Sequence, residues 1–142
     1  MRPFASLLPV ALLSCSNGPV APGVPTVQEI RRQQQIWSSR NLTTYSFDYS
    51  QSRSVYVPDC PAMVWHVLVE VDTVVSSTCV ATGQPASIRV TINSLFSTAI
   101  NAVLDSSLDA ASFDPTYGFP TALHYRGPPD AAWSEGVAGF QN

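Results

Sequence analysis

Thr91-Ile92-Asn93-Ser94-Leu95-Phe96-Ser97-Thr98-Ala99-Ile100-Asn101-Ala102-Val103-Leu104 is the stretch on which the fold turns. Ile92, Leu95, Phe96, Ala99, Ile100, Val103 and Leu104 recur at spacings of three and four, a full stripe along one helix face, and Thr91 is placed to cap it. A stripe that wide needs an apolar surface to cover, and the flanking sequence supplies one. Upstream, Tyr45, Phe47 and Tyr49 alternate with Ser46, Asp48 and Ser50, the period of a half-buried strand with one aromatic face. In the next strand, residues 63–71, Trp65, Val67, Val69 and Val71 line one face while Val64, His66, Leu68 and Glu70 line the other. A turn at Asp72-Thr73 leads into a third strand over residues 74–80, completing an antiparallel hairpin. Downstream come a short strand ending at Phe113 and another over residues 121–125. They are joined by Asp114-Pro115-Thr116-Tyr117-Gly118-Phe119-Pro120, where Asp-Pro favours a type I turn and Gly118 permits positive φ. Residues 131–140 add a last strand at the sheet edge.

A first helix is expected over residues 26–40, because Thr26 and Glu29 form a capping box and Pro25 ends what precedes them. Val27, Ile30, Gln34 and Trp37 fall near one face, a narrow stripe that leaves the outer surface polar. The order α-β-β-β-α-β-β, with the extra C-terminal strand, argues for an α+β fold: an antiparallel sheet of about five strands with two helices on one face.

Before this domain the chain has a different character. Arg2 precedes an apolar run from Ala5 to Leu13, too short to span a bilayer, and Ser14-Cys15 follows. The order Leu12-Leu13-Ser14-Cys15 resembles the bacterial lipobox, which implies cleavage before Cys15 and acylation of its sulfur and freed amine. Several acyl chains hold where one gives only marginal binding. The segment from Ser16 to Pro25 carries three prolines and two glycines and reads as a solvated tether, roughly 20 to 30 Å long at about 3.1 Å per residue. The expected organisation is a signal over residues 1–14, the lipidated cysteine and tether over 15–25, and a single domain over 26–142.

Charged residues make up 12% of the chain, about half the usual share of roughly 25%, while 45% is apolar, which excludes a charge-driven disordered protein. All seven basic residues are arginine and the net charge is −3, so no basic patch is available for nucleic acid. With Cys15 committed to lipid, Cys60 and Cys79 remain as an even pair in an oxidising compartment, which reads as a disulfide closing a loop of about 20 residues. A metal site with His66 and a reactive thiol are the alternatives, but the cysteines have no zinc spacing. Pairing Val71 with Val74 would set Cys79 opposite His66, so the bridge requires the chain to fold back at Pro58 or Pro61, or a longer hairpin loop.

His66 and His124 both fall inside strands, where packing at a sheet face is the commoner use. The sequence offers no Gly-x-Ser-x-Gly elbow, calcium loop, phosphate loop or dinucleotide fingerprint. Asp48, Glu70 and Asp114 would do acid-base work only if they converged; Asp114 reads more simply as a turn acceptor. Tyr117 and Phe119 in the turn, with Trp133 near the end, form a candidate binding surface, since aromatics on a rigid loop suit contact. No catalytic residue, cofactor or metal ligand is assigned.

Trp37 in the first helix, Tyr45 and Phe47 after it, Cys60-Pro61 before a valine-rich hairpin, Leu95-Phe96 in the second helix, and Phe113-Asp114-Pro115-Thr116-Tyr117-Gly118-Phe119-Pro120 together carry a resemblance. Residues 30–135 resemble the uncharacterised bacterial family called domain of unknown function 6174. Two places depart from its pattern: Asp72-Thr73, where such proteins tend to have Asp-Gly, and Gly127-Pro128-Pro129-Asp130, where an acidic stretch is common. The resemblance implies an exported or lipid-anchored bacterial protein and brings no activity with it.

The expected function is that of a lipid-anchored cell-envelope protein, a non-enzymatic binding or structural module at the outer membrane, facing the periplasm or the cell surface. Its partners would be the membrane, through the lipid, and an envelope protein or peptide. The alternatives are an exported hydrolase-like enzyme using His66 and Asp114, or a peptide- or protease-binding inhibitor-like domain.

Overall fold

The computed structural model describes residues 23–128 and 131–142. The expected signal, Cys15 and most of the tether lie outside the described residues, as does Pro129-Asp130. The elements are α1 (Val27–Ser38), β1 (Thr44–Ser52), β2 (Val64–Glu70), β3 (Thr73–Cys79), α2 (Ile92–Leu104), β4 (Leu108–Phe113), β5 (Pro120–Tyr125) and β6 (Trp133–Gln141). This is an α+β fold built on one antiparallel sheet of six strands, in the order β3-β2-β1-β6-β5-β4.

Both helices start as their sequences dictate. Thr26 and Glu29 exchange hydrogen bonds in a capping box, and Thr91 and Ser94 do the same for α2. Trp37 of α1 meets Tyr45 of β1 edge-on, with ring centroids 5.1 Å apart, while the Tyr45 hydroxyl accepts a hydrogen bond from Ile92 N at the head of α2. The two helices also touch each other, so both lie on the face that Tyr45, Phe47 and Tyr49 share. Ile92, Leu95, Phe96 and Ala99 of α2 are buried as expected, but Ala102 completes the stripe and Leu104 is 70% exposed. Ala102 and Val103 keep the last turn against the core, and only Leu104 at the helix end turns out to solvent.

The strand expected at the edge is instead central. β6 lies between β1 and β5 and joins the two halves of the chain, which gives the sheet six strands where about five were expected. The register of β1 against β6 shifts between Ser46 and Asp48. Gly139 sits in the left-handed region at φ 57°, and a side chain there would also crowd the Asp48 carboxyl. The bulge turns Phe140 into the aromatic group of Trp37, Tyr45 and Phe119.

The hairpin turn lies one residue earlier than expected. Glu70 pairs with Thr73, so Val71 and Asp72 form the two-residue turn, both with positive φ (46° and 57°). Val71 is therefore 77% exposed and does not line the buried face. An unpaired Val75 bulges out of β3, and beyond it Cys79 stands opposite Trp65, not His66.

Candidate functional site

At one end of the sheet β1, β3 and β5 finish and β2, β4 and β6 begin. This Trp133 end holds the most distinctive chemistry among the described residues. Along β6, Trp133, Glu135 and Val137 alternate on the helix-covered face, bringing a carboxyl group into a layer of rings, where Glu135 is only 8% exposed. Both its oxygens are taken. Tyr49 of β1 donates its hydroxyl to Oε1, and Tyr125 of β5 donates to Oε2 at 2.7 Å. Gln51 Nε2 in turn donates to the Tyr49 hydroxyl oxygen at 2.6 Å. Burial, reinforced by the hydrogen bond to Glu135, pushes the phenols of Tyr49 and Tyr125 well above their ordinary value, so both remain protonated donors. The network ties β1, β6 and β5 together, with each Glu135 oxygen held by one phenol.

Around it the rings pair off. Tyr125 stacks on Trp133 with centroids 4.0 Å apart, Tyr49 on Trp65 at 6.1 Å, and the Arg53 guanidinium lies over the Trp133 ring at 4.1 Å. Cys60 and Cys79 are joined in a disulfide at this same end, with Cα atoms 5.5 Å apart. The fold-back that the sequence demanded occurs over residues 57–63, where Cys60 N bonds to Val57 O and Met63 N to Cys60 O. The bridge fastens the β1–β2 connection to the end of β3. Thr82 Oγ1 adds a second tie by donating to Asp59 O at 3.0 Å.

The histidine and aspartate of the hydrolase alternative do not meet. His66 Nδ1 donates to Asp48 Oδ1 at 2.8 Å, a cross-strand pair on the sheet face away from the helices. Asp114 Oδ1 instead accepts from Thr116 N and Tyr117 N, holding the turn in which Gly118 has φ 79°. Three strands separate β2 from β4, a span of about 19 Å at ordinary strand spacing.

Tyr117, Phe119 and Trp133 do not form one surface. Phe119 is 4% exposed, packed among Trp37, Tyr117 and Phe140, and Tyr117 leans on Phe140 beneath the Arg40 guanidinium. Trp133 and Phe140 sit at opposite ends of β6, about 23 Å apart along the strand. Among the described residues no three His, Cys, Asp or Glu side chains converge on a point that a metal could occupy. No helix among them is long and apolar enough to cross a membrane.

The two sheet edges differ. Along β3, residues 84–86 run as a partial seventh strand, with Cys79 N bonded to Gln84 O and Ala86 N to Ser77 O. Along β4, Ala110, Ala111, Ser112 and Phe113 face Gly23, Val24 and Pro25 and the first turns of α1 across an open cleft of about 650 Å³.

Glu135 and its two phenols escaped the sequence reading. The signal in the sequence is a carboxylate replacing an apolar residue in the alternation Trp133-x-Glu135-x-Val137, which becomes informative only once residues 131–140 are known to be central, with Tyr49 and Tyr125 on the neighbouring strands.

Taken together, the sheet, its one-sided helices and the disulfide-closed hairpin define a small disulfide-bonded α+β domain. The chain belongs to the family of unknown function DUF6174, whose model matches residues 29–132. No curated protein and no solved structure matches it.

Proposed function

We propose that the protein is a lipid-anchored cell-envelope domain, exported and held to the membrane through Cys15, that acts as a non-enzymatic binding or structural module facing the periplasm or the cell surface. The observation that carries this reading is the Cys60–Cys79 disulfide in a chain whose third cysteine stands in a lipobox. A buried structural disulfide belongs to an oxidising compartment, and the pairing leaves Cys15 as the cysteine available for lipid. The folded domain begins at the Thr26 cap, directly after the Pro/Gly segment that serves as its tether. A non-enzymatic role is supported by the way the polar groups are engaged. Glu135 is buried and accepts from two phenols, and Asp114 is engaged in its own turn. Fractionation of cells expressing the wild-type chain and Cys15→Ala tests the anchor: the wild type is expected in the membrane fraction and Cys15→Ala in the soluble envelope fraction. Equal membrane retention of both would refute it.

A further inference from the structure

We infer that the Trp133 end of the domain is a membrane-contact surface, with the loop bearing Val55 and Tyr56 seated in the headgroup layer of the bilayer that holds the anchor. The inference rests on the lipid-anchor reading above. Val55 and Tyr56, 62% and 75% exposed, stand side by side on the β1–β2 connection, and Val80 and Leu104, 54% and 70% exposed, project at the same end from the end of β3 and the last turn of α2. Adjacent exposed apolar side chains, unlike singly scattered ones, offer a surface for contact. The choice of a lipid surface comes from the chain that leads to it. Seven residues separate Cys15 from Gly23, and the eight steps between them reach about 25 Å when extended like polyproline; Gly23–Pro25 lie against β4 beside Ala110, two residues from where that strand begins at this end. A lipidated Cys15 would keep the Val55-Tyr56 loop within tens of ångströms of the bilayer, where a high effective concentration makes a small apolar contact sufficient.

The chemistry of the end fits an interface. Tyrosine and tryptophan favour the headgroup layer, and Arg53, laid over the Trp133 ring, places a cation beside an apolar surface. The disulfide and the Thr82–Asp59 hydrogen bond hold the loop in position, so little ordering is required on contact. Asp59, Asp105 and Asp109 lie at the same end as Arg53 and Arg126, with Glu29 and Arg32 of α1 lining the cleft beside Ala110, so the charges there are of both signs; Arg126 is paired with Asp109 at 3.1 Å. The contact is therefore apolar insertion, not attraction to anionic lipid.

The test uses the full lipidated chain carrying Tyr56→Trp, reconstituted into phosphatidylcholine vesicles with and without brominated acyl chains, and the same chain without the substitution as baseline. An exposed loop position leaves the fold intact, and vesicle flotation reports the anchor separately. The expected result is a blue shift and a roughly twofold bromolipid quenching of the added emission, as for an indole lying ~5–10 Å into the interface. Replacing part of the phosphatidylcholine by phosphatidylglycerol should leave both unchanged. A chain that floats but whose added emission is neither shifted nor quenched overturns this inference and leaves the anchor standing, the patch then belonging to a protein partner. A chain that carries no acyl group and does not float overturns both.

Discussion

Glu135 brings a carboxyl group into a layer of aromatic rings, and it is tolerated there because two phenols donate to its two oxygens. Glu135→Ala would leave both hydroxyls without an acceptor and is expected to cost about 2–4 kcal/mol, measured by urea unfolding, with Glu135→Gln falling between wild type and Ala. A loss below about 0.5 kcal/mol would mean the network contributes nothing beyond packing. Tyr45 carries a pH signature of its own. Burial pushes its phenol from 10.0 up to about 12, and the hydrogen bond from Ile92 N only partly offsets this. Folding thus favours the neutral phenol, and that preference is fully present below pH 10 and is lost as pH climbs from 10 to about 12. Stability measured across that window should fall less steeply for Tyr45→Phe than for the wild type. At this scale the sequence identified Tyr45 and Tyr49 as buried aromatics from their alternation alone, but the partnership of Tyr49 with Glu135 joins residues 86 positions apart, and no local pattern encodes it.

The elements fixed by local rules were legible, and those fixed by distant pairing were not. The Thr26–Glu29 box, the Thr91 cap and the helical stripe of α2 follow from residues within a few positions of one another, and each is found where it was expected except at the end of the stripe, where Ala102 is buried and Leu104 exposed. The place of β6 between β1 and β5 depends on which strands it meets after the chain has already built both flanks, and its half-apolar sequence suits an edge as well as a centre. The hairpin shows a subtler limit. Without glycine to mark it, the turn could not be located to the residue, and the structure places β-branched Val71 in the left-handed region at φ 46°. Its side chain is exposed and contributes little packing there. Val71→Asn, which tolerates this conformation better, is expected to raise stability by about 0.5–1 kcal/mol, read as a higher thermal midpoint with unchanged far-ultraviolet circular dichroism. A lower midpoint would contradict the left-handed conformation at Val71.

At the scale of the whole molecule the sheet has two unlike ends. One, around Tyr117, is closed by the Asp114 turn and packed under α1, where Gly118 lies so close to the helix that a Cβ would be 2.7 Å from Gln33 O. The other gathers the disulfide, the Glu135 network and the exposed Val55-Tyr56 loop. The disulfide joins cysteines 19 positions apart and contributes on the order of 3 kcal/mol by restricting the unfolded chain, a useful increment for a domain of this size. The sequence suggested the bridge from compartment and cysteine number, while its geometry depended on a fold-back and on a bulge at Val75 that only the assembled hairpin displays. The proposed membrane attachment, in contrast, rests on a short local segment ahead of the domain, Leu12-Leu13-Ser14-Cys15, and on its resemblance to a lipobox. The most direct measurement is therefore the mass of the N-terminal peptide of the protein recovered from the membranes of its host. The account predicts a peptide that begins at Cys15 and carries a diacylglyceryl group on sulfur. A peptide that retains the residues before Cys15, or one with Cys15 as an unmodified thiol, would contradict it.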